Sequence, residues 1–504
     1  VTAPTAAAKA PFVLRPHPHL YEINTWAWLE TLSSRLSRTI RLADVPDSEW
    51  DVLAHRGFDI IWLMGVWQRS PEARRLALAN PDNPPLYDRA LPGWKTQDVI
   101  ASPYSVAAYV PDARIGSWQD IDAVRDKLHA RGMALFLDFV GNHTALDHPW
   151  TREHPEFYVQ ANQTQFSKSP DAFRAVDSPT GTHFLALARD PYFPPWRDCA
   201  QLNHFEPSMR AAQIDILRTI AGHCDGVRCD MAMLHLSDIF GNIWGPYLSG
   251  AKPMAREFWA DVHAKVPSLT LLAEAYWGTE QRLLDLGFSF AYDKSLYDSV
   301  RDINAPQVRG ALSAALDHQS HFARFLENHD EHRAVEVFGK DRLASVGTLM
   351  GTLPGMRFYH QGELEGASIY LPITLRMAAP RPTDPAAFQF FEKILRMTHE
   401  DVFHHGSWSL LSVTSDSDAT SSNLIVYEWR SEKAWKVIAV NLAGGPSQGR
   451  IHFDGQPLSA PEYVFYDELN EVRYLRPGDE LRSLGLFVRR DGFGAHLFDV
   501  SPVR

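Results

Sequence analysis

FLDFVGNHT (Phe136–Thr144), DGVRCDMAML (Asp225–Leu234), LLAEAYWG (Leu271–Gly278) and FLENHDEHR (Phe325–Arg333) decide the fold. Each starts as an apolar run and ends in acidic, histidine or arginine residues. Such a run reads as a strand buried on both faces that hands polar groups to its C-terminal tip. Four more runs share the pattern: YEINTWAW (Tyr21–Trp28), FDIIWLMGVW (Phe58–Trp67), FSFAYD (Phe288–Asp293) and MRFYHQG (Met356–Gly362). They are continuous rather than alternating, which suits a parallel sheet. Helical periods lie between them. In SWQDIDAVRDKLHARG, Ser117 and Asp120 make a capping box, Ile121, Val124 and Leu128 form an apolar stripe, and Gly132 ends the pattern. A second helical stretch is Met209–His223. Eight β–α repeats predict an α/β fold, a closed (β/α)8 TIM barrel.

Two stretches interrupt the repeat. One is Gln68–Trp118, rich in Pro and Asn. The other is roughly Thr144–Phe205, after the third strand, with Pro149, Pro155, Pro170, Pro179, Pro191, Pro194 and Pro195. A connection this long inside a compact domain is commonly functional, and this one is expected to wall one side of a cleft on the C-terminal face. From about His405 the chain turns to short strands between Gly, Ser, Asp and Pro: NLIVYEWR, KAWKVIAVNL, GRIHFDG, EYVFYDEL and GAHLFDV. This predicts an all-β sandwich domain packed on the barrel as a stabilising element. The expected division is barrel over 1–143 and 206–402, insert over 144–205, and C-terminal β domain over 403–504.

The chain has 504 residues and 45% apolar residues, enough for a barrel with additions. Its formal charge of −12 argues against nucleic acid, whose phosphates need a basic partner surface. No apolar run is long enough to span a membrane. Cys199, Cys224 and Cys229 fit no zinc spacing, and an odd, low count points to free thiols in a reducing, cytoplasmic setting. The opening VTAPTAAAKAP reads as a tail or a trimmed start, not an intact signal peptide.

Asp230, Glu274 and Asp330 stand at the tips of three predicted barrel strands. Cleavage of a glycosidic bond with retention needs two carboxyl groups across the sugar, one ionised to attack and one protonated to release the leaving oxygen. Arg228 lies two residues before Asp230, on the same side of a strand, where it would hold that carboxylate ionised. Glu274 on the next strand is the natural acid/base. Asp330, after Asn328 and His329, could bind sugar hydroxyls. A single Asp at a strand end is usually a helix cap or turn former; three, accompanied by Arg228, His143 and His329, are not explained that way.

In these residues the chain resembles the alpha-amylase family of retaining glycoside hydrolases: the four opening segments are similar to its four signature regions, in order and on the matching strands. The resemblance implies a nucleophile at Asp230, an acid/base at Glu274 and a transition-state stabiliser at Asp330. It implies that Arg228, His143 and His329 hold the sugar on the non-reducing side and that Tyr104 stacks on it. Asp138 matches a buried aspartate of the first region, Gly116–Ser117 the Gly-Thr that opens a helix, and PGMRFYHQGE (Pro354–Glu363) the eighth-strand segment. Trp277 is the foremost further stacking candidate; Trp67, Trp94, Trp196 and Tyr276 are others. Arg333 is left between contact with a distant sugar and a surface ion pair.

The departures bear on metal and substrate. Asn142 matches a family calcium ligand, but Gln201 stands where an aspartate is usual and Leu234 where a histidine is usual, so no cofactor and no calcium are expected. Ala108 also replaces a family aspartate. Met233–Leu234 replaces a Lys-His pair of endo-acting amylases, which favours short malto-oligosaccharides or transfer over standard starch cleavage. The leading expectation is hydrolysis of α-glucosidic bonds, α-1,4 first, in glucans or oligosaccharides. A transglycosylase using the same intermediate is the alternative. A non-catalytic binding protein on the same fold would be expected to lose part of the carboxylate set. A metal-dependent enzyme would need a local histidine-rich motif, and none accompanies His143 or His329.

Overall fold

The computed structural model describes residues 12–503 apart from positions 249, 251, 252, 254, 456 and 457. The opening VTAPTAAAKAP lies outside the described residues. The eight runs form a closed parallel barrel of β1 (His19–Asn24), β2 (Ile60–Met64), β3 (Ala134–Phe139), β4 (Gly226–Cys229), β5 (Thr270–Ala273), β6 (Phe290–Tyr292), β7 (Phe322–Phe325) and β8 (Met356–His360). The register closes it, with Glu22 of β1 opposite Trp62 of β2 on one side and His360 of β8 on the other. Trp62, Tyr292 and Phe358 meet inside, with ring centroids 5.8 Å apart for Trp62–Phe358 and Tyr292–Phe358. This aromatic plug fills the barrel, so its polar groups gather above, at the strand ends.

The strands are shorter than the apolar runs. YEINTWAW divides at Asn24, whose side chain accepts from the Ala27 N–H and caps the helix Thr25–Leu36. A capping side chain outweighed the β-like run after it. The Trp118–His129 helix has the expected capping box, with Ile121, Val124 and Leu128 buried. Gly132 follows its end at φ 75°, a left-handed turn that suits glycine.

Within the first long stretch, Trp67–Arg69 pairs with Val106–Pro111 as a short antiparallel ladder. Within the second, His143–Ala145 pairs with Cys199–Gln201, and Gln160–Ala161, Phe173–Ser178 and Gly181–Ala186 form a three-stranded sheet. The C-terminal region is a six-stranded antiparallel sheet beside a three-stranded one. Ser407–Leu410, Ser412–Thr414, Val472–Pro477 and Leu486–Arg490 are strands there that the sequence reading passed over. This region joins the barrel through a shared core: Ile425, Tyr427, Trp429, Ile438 and Leu497 belong to one buried cluster with the barrel residues. The Trp429 indole donates to the Thr352 carbonyl at 2.7 Å. Among the described residues no helix is long and apolar enough to cross a membrane.

Candidate active site

The site is assembled around Arg228. This residue is fully buried, and one guanidinium reaches two carboxylates: Nη1 lies 2.7 Å from Asp230 Oδ1 and Nη2 lies 2.7 Å from Glu274 Oε2, with Asp330 Oδ2 at 4.0 Å. The rings of Tyr104, Trp62 and Tyr292 surround it, with centroids 5.1, 5.5 and 5.8 Å from its Cζ. A buried charge needs such partners, and planar, permanently charged arginine suits a double contact.

Glu274 is held from three directions. Its Oε2 also accepts the Met231 N–H at 2.6 Å, and its Oε1 accepts the Tyr276 hydroxyl at 2.8 Å. Met231 has φ 43°, a left-handed conformation costly for a side chain of its kind, and this turn aims its N–H at the carboxylate. Burial raises the Glu274 carboxyl to about 7, against the pull of Arg228 and with the help of Asp230 and Asp330. Burial also raises Asp230, which Arg228 draws back by charge and by a direct hydrogen bond. Asp330 behaves oppositely: burial pushes it up, but His329 outweighs that and holds it at about 2.

His329 is buried between two carboxylates, its Nε2 3.0 Å from Asp330 Oδ2 and its Nδ1 2.5 Å from Glu22 Oε1. Tyr104 stacks on its face, centroids 5.1 Å apart. His143 braces this tyrosine, its Nε2 lying 3.1 Å from the Tyr104 carbonyl; burial lowers it to about 4, so it is neutral. Asp138 accepts the Gly65 N–H at 2.7 Å and faces the Tyr104 hydroxyl at 3.5 Å. Contacts therefore link Asp230, Glu274, Asp330, Arg228, His329, Tyr104 and His143. Trp277 stands at the rim, 40% exposed, its ring 5.2 Å from that of Tyr192. A cavity of about 590 Å³ is lined by Trp196, Glu274, Tyr276, Trp277 and Asp330, and a second of about 570 Å³ by His329, Arg333 and Tyr370.

Two expectations need correction. Trp67 is 1% exposed and donates to the Asp138 carbonyl, so it is core. Trp94 packs edge-on against Tyr87 and donates to Asp88, away from the carboxylates. Arg333, left open between a distant sugar and a surface ion pair, makes no surface pair: it is buried against Glu327 and beside His360, because Glu327 of the interior needs a counter-charge, and it lines the second cavity. Glu22 and the Met231 N–H were missed. The signal for Glu22 was a lone acid inside an otherwise buried strand; nothing local announced the backbone group.

The residues do not suit a hard cation between barrel and insert. Gln201 Nε2 donates to both the carbonyl and Oδ1 of Asn142, at 2.9 Å each. An N–H donor thus occupies the oxygens that calcium would require, and Leu234 is a buried hydrocarbon.

The family described as alpha amylase, catalytic domain, matches residues 51–371. Over 379 residues the chain is 24% identical to an oligo-1,6-glucosidase of Halalkalibacterium halodurans, covering 64% of this chain and 61% of that protein. Over 272 residues it is 24% identical to alpha-amylase 3 of Dictyoglomus thermophilum, covering 49% and 50%. The matches thus span half to three fifths of these relatives. In fold it is similar to a noncanonic maltogenic alpha-amylase of Thermotoga neapolitana, with TM-score 0.68, 17% identity and coverage of 97% of this chain and 99% of that one.

Proposed function

Because the chain belongs to the alpha-amylase catalytic-domain family, we propose that it is a retaining glycoside hydrolase that cleaves α-glucosidic bonds, α-1,4 first, in glucans or malto-oligosaccharides. The observation that carries this reading is the single Arg228 guanidinium in contact with both Asp230 and Glu274. It fixes two carboxyl groups close together, as retention requires at about 5–5.5 Å. Asp230 attacks the anomeric carbon while Glu274 gives its proton to the leaving oxygen. In the second step Glu274 takes a proton from water, which displaces Asp230 from the sugar. Asp330, ionised beside His329, accepts sugar hydroxyls as positive charge develops on the ring. Room on both sides of the carboxylates supports an oligosaccharide substrate. Asp230→Asn and Glu274→Gln test this on purified protein with maltoheptaose; wild-type-like turnover in either variant sinks the assignment.

One observation favours the transglycosylase reading as the alternative. Tyr192 and Phe193 are 68% and 69% exposed beside Trp277, and Phe193 and Trp277 line the cavity that holds Glu274, where an acceptor sugar could stack. Products longer than maltoheptaose would indicate transfer, shorter ones alone hydrolysis. The Gln201–Asn142 pairing supports a calcium-independent enzyme, and a large loss of activity or Tm on chelation would contradict that.

A further inference from the structure

Glu22 is a buried carboxylate to which the proposed mechanism gives no task. It is fully buried on β1, its Oε1 lies 2.5 Å from His329 Nδ1, and its Oε2 has no hydrogen-bond partner among the described residues. Its one ion-pair contact among the described residues is His329. A carboxylate removed from water needs a counter-charge or gives up its own. The other ring nitrogen of His329 lies 3.0 Å from Asp330 Oδ2. Tyr104 covers one face of the imidazole and the edge of Trp62 closes on it, with centroids 5.1 and 5.7 Å away. The ring is therefore held in place, its Nδ1 hydrogen-bonded to Glu22 and its Nε2 in a charge contact with Asp330 that is not a hydrogen bond.

We infer that Glu22 is a positioning residue, which locks His329 in the line Glu22–His329–Asp330 and thereby fixes the direction in which Asp330 meets the sugar. The inference rests on the hydrolase reading above for its consequence in turnover, though not for the lock itself. The charged and titratable groups around His329 are Glu22 from β1, Asp138 from β3, Arg228 from β4 and Asp230 just past it, Tyr104 from the first insertion and its neighbour Asp330. Burial opposes a charge on the ring, and the carboxylates of Asp330 and Glu22 override it, so His329 is an imidazolium well above its ordinary range. A neutral ring could keep its Nδ1 hydrogen bond to Glu22, but it would lose the positive charge that faces Asp330.

The test compares wild type, Glu22→Gln, Glu22→Asp, His329→Gln and the double variant Glu22→Gln/His329→Gln, with histidine-selective 15N NMR and kinetics on maltoheptaose. His329→Gln assigns the resonance by its loss. In wild type both nitrogens of His329 are expected to stay protonated above the ordinary imidazole range, and in Glu22→Gln the ring is expected to release a proton at lower pH than in wild type. kcat in Glu22→Gln is expected to fall about ten- to a hundredfold, with KM within about threefold of wild type. Adding Glu22→Gln to His329→Gln should cost nothing more, because Glu22 acts through that ring. Glu22→Asp keeps the charge and lengthens the contact, so the ring stays protonated while kcat falls; it also serves should Glu22→Gln not fold. The inference is overturned if His329 of Glu22→Gln titrates as it does in wild type, or if the two losses multiply in the double variant. Should wild type cleave no glucoside while Glu22→Gln still strips the proton from His329, the hydrolase reading fails and the lock stands.

Discussion

Glu274 is expected to set the alkaline limb of the activity profile. Its carboxyl is raised from 4.5 to about 7. At about 1.4 kcal/mol per unit, the site prefers its neutral form by roughly 3 kcal/mol relative to water. Burial supplies that preference, and Arg228 offsets part of it. As an acid, Glu274 works only while protonated, so kcat/KM should fall about tenfold per pH unit above about 7. Stability carries the same sign. The folded value lies above the unfolded one, so the native state is penalised progressively as pH rises from 4.5 to about 7 and by a constant amount beyond. Glu274→Gln removes that titration. Between about pH 5 and about 8 it should lose less stability than wild type, by up to roughly 3 kcal/mol. Tyr276→Phe probes the cause, because the lost hydroxyl donates to Oε1 and favours the ionised form. Its removal should move the limb upward by about half to one unit. The assays are kcat/KM on maltoheptaose from about pH 4 to about 9 and urea unfolding of wild type and Glu274→Gln at both ends of that range. A profile flat to its alkaline end, or a limb that stays put or moves down in Tyr276→Phe, would refute the reasoning.

Arg228→Met leaves Asp230 and Glu274 buried without their shared cation; urea unfolding near neutral pH should show a loss of about 3–5 kcal/mol, with turnover abolished. Gln201→Asp restores an oxygen donor opposite Asn142, so added calcium should raise Tm in that variant and leave wild type unchanged. Trp277→Ala removes an exposed ring, so stability should change by less than about 0.5 kcal/mol while KM for maltoheptaose rises at least severalfold; an unchanged KM would remove it from the substrate path.

The barrel was legible because its strands are buried on both faces, which leaves long apolar runs with few competing readings. The strand tips were legible for a related reason: an acid or arginine ending such a run has to meet other polar groups. Tyr276 shows the limit, since an aromatic next to an acid reads as a stacking surface, whereas here its hydroxyl serves Glu274. Trp67 and Trp94 failed similarly, because sequence does not distinguish a ring facing sugar from one filling a gap. Glu22 was readable only as an acid out of place; its partner lies 307 residues away. The Met231 N–H was beyond reach, because a left-handed turn at a methionine is imposed by its surroundings. The edge strands of the C-terminal region were passed over because they are short and half-polar.

The core shared by the barrel and the C-terminal sheets has a consequence for how the chain can be divided. Tyr427 and Trp429 reach across to Thr352, just before β8, and their neighbours pack into the barrel's own interior. A chain ended near residue 402 would keep every group of the candidate site and still bare a broad apolar face beside the last barrel strand. The two regions should therefore unfold together in one cooperative transition, and the chemistry at one end of the barrel depends on sheets that never approach it.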